Sequence, residues 1–261
     1  VLMSVSNYED MTEYGAYYAR RLYDELVSRG HEVTFLENPS KSEIDNELIQ
    51  NYDFFYHVGH GCPYVTTSYE REDILWITGS SVLCGDHIHT NVSIDNLQNI
   101  NTYLLSCYCG SGLVPYINSC GGTIAGYVNE FTWTATSPGD EISFWFFDSA
   151  NEYFRQVVSN STPEQAYNKT IEKFNDAVSH FSISPDPIDQ FITTLLICDM
   201  RALVVYHGTD RLSMTREDEI PTETMETVTT TTGGGLINNP IVLGILGITI
   251  LGVGYILMQR E

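Results

Sequence analysis

The hydrophobic pattern switches repeatedly between a strand period and a helix period. Val1 to Ser6 reads as a short apolar strand. Met11 to Arg29 then carries Met11, Tyr14, Tyr18, Leu22 and Leu26 at helical spacing, closed by Gly30 where a C-terminal cap is wanted. His31 to Leu36 is the next strand, so the chain opens as a βαβ unit, a parallel pair joined by a right-handed crossover. Ser40 and Glu43 form a capping box for a helix to about Gln50 that turns Ile44 and Leu48 inward. Between Cys62 and Ile100 the pattern weakens: a strand over Ile74 to Thr78, a short piece over Ser81 to His89, a short helix over Ser93 to Ile100, and loops expected to roof a site. After Gly110 a helix to about Ser119 and a Gly121-Gly122 turn lead to a strand over Thr123 to Val128. Ser137-Pro138-Gly139-Asp140 and Thr162-Pro163-Glu164-Gln165 each open a helix, with Ser137 and Thr162 as caps and proline at the first helical position. A helix from about Ile188 and a strand over Ala202 to Tyr206 complete an α/β domain with a mostly parallel sheet.

Two apolar runs stop abruptly at chemically capable side chains: Tyr52 to Gly61 (YDFFYHVGHG) at His60, and Thr102 to Gly110 (TYLLSCYCG) at Cys107. In open parallel sheets the carboxyl ends of strands line a crevice, so a His and a Cys ending adjacent strands are brought together although far apart in sequence. A thiol attacks a carbonyl as thiolate, and an amine leaves only when protonated; one imidazole beside the sulfur serves both needs. The Gly61 N–H, with that of Cys107, is the expected oxyanion donor. Cys109 shares the strand face and ranks second as nucleophile. His57 reads as a core or supporting histidine. A rival reading assembles zinc from His57, His60 and Cys62 with Cys84, Asp86, His87 and His89, although their spacing matches no standard site.

Composition adds three things. With 34 acids against 12 bases, the formal charge of -22 opposes binding to nucleic acid or anionic lipid. Pro240 to Met258 is an uncharged run of 19 residues, about 28 Å as a helix, and is expected to cross a bilayer. The expected layout is therefore a domain over 1–210, a stalk rich in Thr, acids and Gly over 211–235, a membrane span over 236–258 and a tail over 259–261. Arg260 favours a cytoplasmic C-terminus and an extracellular domain, and the sequons at Asn91, Asn160 and Asn168 suit that side. The start at Val1 suggests a processed or trimmed N-terminus. Six cysteines make no dense disulfide scaffold; with Cys107 free, Cys62, Cys84, Cys109, Cys120 and Cys198 leave an odd number for pairing.

An apolar strand ending in His-Gly, followed about 50 residues later by one ending in a small residue and Cys, resembles the caspase-like superfamily of gingipains, clostripain, legumain and caspases. The GHG at Gly59 to Gly61 and the Cys-x-x-Gly at Cys107 to Gly110 are similar to the gingipain form. The strand around Gly122-Thr123-Ile124, the aromatic helix at Trp145 and the Thr162 helix start extend the likeness over about Val1 to Tyr206. The resemblance implies a caspase-like three-layer α/β/α sandwich and a cysteine endopeptidase with His60 as acid-base, Cys107 as nucleophile and Gly61 in the oxyanion hole. No cofactor is required, although calcium activates some relatives; the partners are a protein or peptide substrate and, through the C-terminal helix, the membrane. Asp86 or Asp140 is nominated to line a pocket for a basic side chain, as acids do in Arg- and Lys-specific relatives, and Ser106 to touch substrate beside the nucleophile. The caspase pentad is absent, because no Gln precedes Ser106, so specificity for Asp is not implied. A catalytically silent binding domain of the same fold is the other reading.

Overall fold

The computed structural model describes residues 1–68, 73–76, 82–84, 87–89, 95–97, 99–119 and 121–214, without the side chains at 76, 82–84, 87–89 and 95. The chain divides into a unit over Val1–Asp218 and a second over Glu219–Glu261. The expected membrane span, the stalk beyond residue 214 and Asp86 lie outside the described residues. Among the described residues no helix is long and apolar enough to cross a membrane.

The first unit is built on a seven-stranded sheet. In chain order the elements begin β1 (Leu2–Val5), α1 (Asp10–Ser28), β2 (Thr34–Glu37), α2 (Lys41–Leu48) and β3 (Phe54–Val58). Small strands follow: β4 (Gly61–Cys62), β5 (Val65–Thr67), β6 (Asp73–Trp76), β7 (Val82–Cys84) and β8 (His87–His89). The chain then returns to the main sheet with β9 (Asn101–Leu105), α3 (Leu113–Ser119), β10 (Ile124–Tyr127), α4 (Glu141–Val158), α5 (Pro163–Ser182), α6 (Pro187–Ala202), β11 (Leu203–His207) and β12 (Asp210–Ser213). The strand order is β12-β11-β10-β9-β3-β1-β2; the five from β2 to β10 are parallel, β11 runs antiparallel to β10, and β12 antiparallel to β11.

The chain moves from β1 outward to β2 and then back past β1 to β3. Right-handed crossovers in opposite directions put α1 and α2 on opposite faces, and the loops after β1 and β3 diverge to leave a crevice. Alternation along the strands does the rest. Leu2, Phe55, Leu104 and Ile124 join Ile44 and Leu48 of α2 and Ile117 of α3 in one core. The intervening Tyr56 and Tyr103 point to the other face, where their hydroxyls donate to Asn151 Oδ1 at 2.8 Å and Ala150 O at 2.7 Å on α4. Each phenol thereby brings a large apolar ring into the core with its one polar atom satisfied.

The capping boxes at Ser40–Glu43 and Thr162–Gln165 form as the sequence predicts. Three expectations are corrected. The α4 cap is Asp140, not Ser137, because the Ser137-Pro138-Gly139 stretch is spent on a turn and the Asp140 carboxylate accepts from Ser143 N at 2.7 Å. Where a helix is expected over Ser93 to Ile100, the described residues show a 3-10 turn at Asp95–Leu97. The strand expected over Ile74 to Thr78 forms as β6 and the short piece over Ser81 to His89 as a hairpin (β7-β8), while β4 and β5, expected as loop, pair with β6 in a three-stranded sheet.

Candidate active site

β3 and β9 are adjacent and in parallel register, with Val58 beside Leu105, so their ends deliver His60 and Cys107 to the same rim of the sheet. Both residues line one cleft, whose other walls come from α1, segment 131–133 and Phe147 of α4. Backbone contact draws the two turns together. A Cβ added to Gly61 would lie 2.7 Å from the Cys107 carbonyl oxygen and 3.3 Å from its nitrogen, so only glycine allows this approach. Two residues earlier, a Cβ at Gly59 would meet Thr67 O at 2.3 Å, which makes a side chain there equally inadmissible. Beyond the cleft, Leu113 N–H donates to Pro63 O at 2.6 Å, fastening the chain after Cys107 to the loop after His60.

His60 Nε2 is paired with the carboxylate of Glu9, the residue that starts α1 just beyond β1. A carboxylate only accepts, so Nε2 carries the hydrogen and the lone pair sits on Nδ1, leaving that nitrogen as the ring's acceptor. An acid at a helix start is where the helix dipole favours negative charge. Thr12 buttresses it: its hydroxyl accepts from the Glu9 N–H at 3.3 Å and the Tyr8 N–H at 3.1 Å. The Tyr8 ring meets the imidazole edge-on with centroids 6.2 Å apart.

Cys107 is half-buried and unpaired. Burial pushes its thiol up to about 11, against a hydrogen bond from Phe131 N–H and with the charges of Glu130 and Asp199 acting in the same direction as burial. The resting sulfur is therefore a neutral thiol at pH 7. Immediately after it, Tyr108 adopts a left-handed backbone with φ 59, an unfavourable conformation for an aromatic residue that turns the chain sharply after Cys107. Cys109, the second-ranked nucleophile, is buried behind the strand; its Sγ donates to Ser106 O at 3.1 Å and burial pushes it up to about 12.

Segment 131–133 is clamped from behind by Asp199 of α6. The buried Asp199 Oδ1 accepts from Thr132 N at 2.8 Å and Thr132 Oγ1 at 3.2 Å, while Oδ2 has no hydrogen-bond partner. Burial raises this carboxyl well above the usual range. The two residues flanking Thr132, Phe131 and Trp133, face the cleft.

The remaining nominated residues are distributed as follows. Ser106 lines the cleft, but its hydroxyl is buried against Thr66 Oγ1 at 2.8 Å. Asp140 is taken out of the pocket role proposed for it: Thr136 N, Thr136 Oγ1 and Ser137 N bond its Oδ2 at 2.7, 2.9 and 3.3 Å, and Ser143 N takes Oδ1. Burial opposes its charge, and the bonds from Ser143 and Thr136 more than offset this, holding the carboxyl down at about 2. His57 is a core histidine: Thr67 O accepts from Nε2 at 3.1 Å, so the Ser4 hydroxyl donates to Nδ1, also at 3.1 Å. Cys62 is disulfide-bonded. With His57 saturated and Cys62 oxidised, the zinc set loses two donors; the side chains of Cys84, Asp86, His87 and His89 lie outside the described residues. Among the described residues no group of three or more metal-binding side chains is assembled.

Glu9 and Asp199 were not singled out from the sequence. Glu9 was within reach of it, because an acid directly after a parallel strand stands on the same rim as His60 and Cys107. No local signal marks Asp199, which reads as one more acid near the end of an amphipathic helix. No protein-family model and no curated protein matches this chain.

Proposed function

We propose that this chain is a cysteine endopeptidase of caspase-like three-layer fold, carried outside the cell on the C-terminal membrane span expected at 236–258. The observation that carries the proposal is the common cleft of His60 and Cys107, with His60 oriented through Nε2 by Glu9. The Cys62 disulfide supports an oxidising compartment.

The chemistry proceeds in two halves. The peptide carbonyl lies over Sγ with its oxygen toward the Gly61 and Cys107 N–H groups. Because the thiol rests neutral, Nδ1 of His60 takes its proton as sulfur attacks, forming the S–C bond of a tetrahedral intermediate. Glu9 stabilises the imidazolium produced. The imidazolium then passes its proton to the amine nitrogen as the C–N bond breaks, leaving an acyl-enzyme. A water delivers its proton to Nδ1 and its oxygen to the acyl carbon; collapse breaks the S–C bond, frees the carboxylic acid product and returns the thiol.

The alternative, a catalytically silent surface domain, is favoured by one observation, the thiol pushed up to about 11. A peptidyl acyloxymethyl ketone separates the two. Covalent labelling at Cys107 that is lost in His60→Ala and Cys107→Ala supports the peptidase. A folded protein that resists labelling supports the binding domain.

A further inference from the structure

We infer that the substrate residue whose carbonyl Cys107 attacks bears an uncharged, apolar side chain, seated in the cavity beside the thiol. This rests on the peptidase reading and adds a substrate class to it. The cavity measures about 70 Å³ and is walled by Met11, Val58, Leu105, Phe131, Trp133 and Phe147. Leu105 ends β9 two residues before Cys107, and Phe131 lines the same cavity as the Cys107 thiol. The wall is thus continuous with the attacking atom, and the side chain nearest that atom is the one on the attacked carbonyl's own residue.

Charge decides the class. Among the described residues, no Asp or Glu lines the cavity. Nearby carboxylates are engaged elsewhere: Glu9 on His60, Asp199 on Thr132, Asp140 on the start of α4. Glu130 is exposed and is not among the lining residues. A guanidinium or ammonium entering the cavity would shed water with no counter-charge, and attraction to the Trp133 face recovers only part of that cost. A substrate carboxylate would meet no Arg or Lys in the lining either. The apolar walls suit an aliphatic chain such as Val, Leu or Met.

The test uses the full chain and peptides identical except for Leu, Met, Arg, Lys or Asp at that residue. The expected result is kcat/KM at least tenfold higher for Leu and Met than for the three charged residues. In Met11→Glu, at an exposed position in the first turn of α1, the Lys and Arg peptides should gain at least fivefold while the Leu peptide loses. Equal or better cleavage after Arg or Lys by the unmodified chain, with Cys107 labelling intact, overturns the inference and spares the peptidase reading. Failure to cleave any peptide, together with no labelling by either a Leu or an Arg acyloxymethyl ketone, overturns both.

Discussion

The Glu9 carboxylate meets Nε2 of His60 across 51 positions of sequence, joining the amino end of α1 to the loop after β3. The pair is half-exposed, so its worth as a salt bridge is small; its consequence is orientation. A ring bonded at Nε2 keeps its lone pair on Nδ1, in one tautomer. Glu9→Gln should lower kcat by about 10- to 100-fold with KM little changed, because the supporting charge acts on the imidazolium and not on bound peptide. Steady-state kinetics beside a thermal melt checks this. An unchanged kcat, or a loss explained by unfolding, removes Glu9 from the machinery.

Cys107 should behave as a neutral thiol before substrate arrives. With its sulfur pushed up to about 11, iodoacetamide alkylation in the free protein should speed up about tenfold per pH unit between pH 7 and 9. Site-resolved mass spectrometry separates it from the exposed Cys198 and from the buried Cys109, which should stay unmodified. A rate already level at pH 7 would mean a preformed thiolate and would replace proton transfer during attack with an ion-pair mechanism.

His57 should make the fold sensitive to acid. Burial lowers it to about 3 from 6.5, so below pH 6.5 the unfolded chain takes up a proton that the folded chain refuses. Stability contributed above pH 6.5 is therefore lost as pH falls toward 3, at about 1.4 kcal/mol per pH unit. Urea midpoints at pH 7 and pH 4.5 should fall further for the natural chain than for His57→Gln. Parallel losses would show that the imidazole is not refusing the proton.

Asp199 should set the Phe131–Trp133 wall through Thr132. Asp199→Ala strands the Thr132 N–H and should cost about 1–3 kcal/mol, whereas Asp199→Asn keeps an acceptor for it. The carboxyl is raised in the folded state, so its contribution is present below the ordinary carboxyl range and is lost as pH rises toward its folded value. Asp199→Asn, with nothing to ionise, should melt at or above the natural chain at pH 8, and Asp199→Ala below it. If the Asn variant melts lowest, the carboxylate itself is what the site requires.

The elements that could be read from the chain are those whose cause is local. Ser40–Glu43 and Thr162–Gln165 bond within one turn, so the residues that begin α2 and α5 carry the whole explanation. The same holds for His60 and Cys107: each ends a run whose length and apolarity specify a buried parallel strand, and parallel strands end on the same rim. Asp140 marks the limit of such reading. An aspartate near a site and an aspartate at a helix start look identical in sequence, and only the bonds from Thr136, Ser137 and Ser143 assign it to the cap.

The sequence by itself determined the α/β alternation, most helix starts, and the delivery of one histidine and one cysteine to the same rim of the sheet. Only the tertiary structure decided that Glu9 orients the imidazole, that Asp199 holds the cleft wall, and that Cys62 is oxidised. The reason is range. Hydrophobic periodicity and capping act between residues a few positions apart, whereas a carboxylate's role depends on which donor the fold brings within bonding distance. The 67 positions separating Thr132 from Asp199 carry no trace of that meeting.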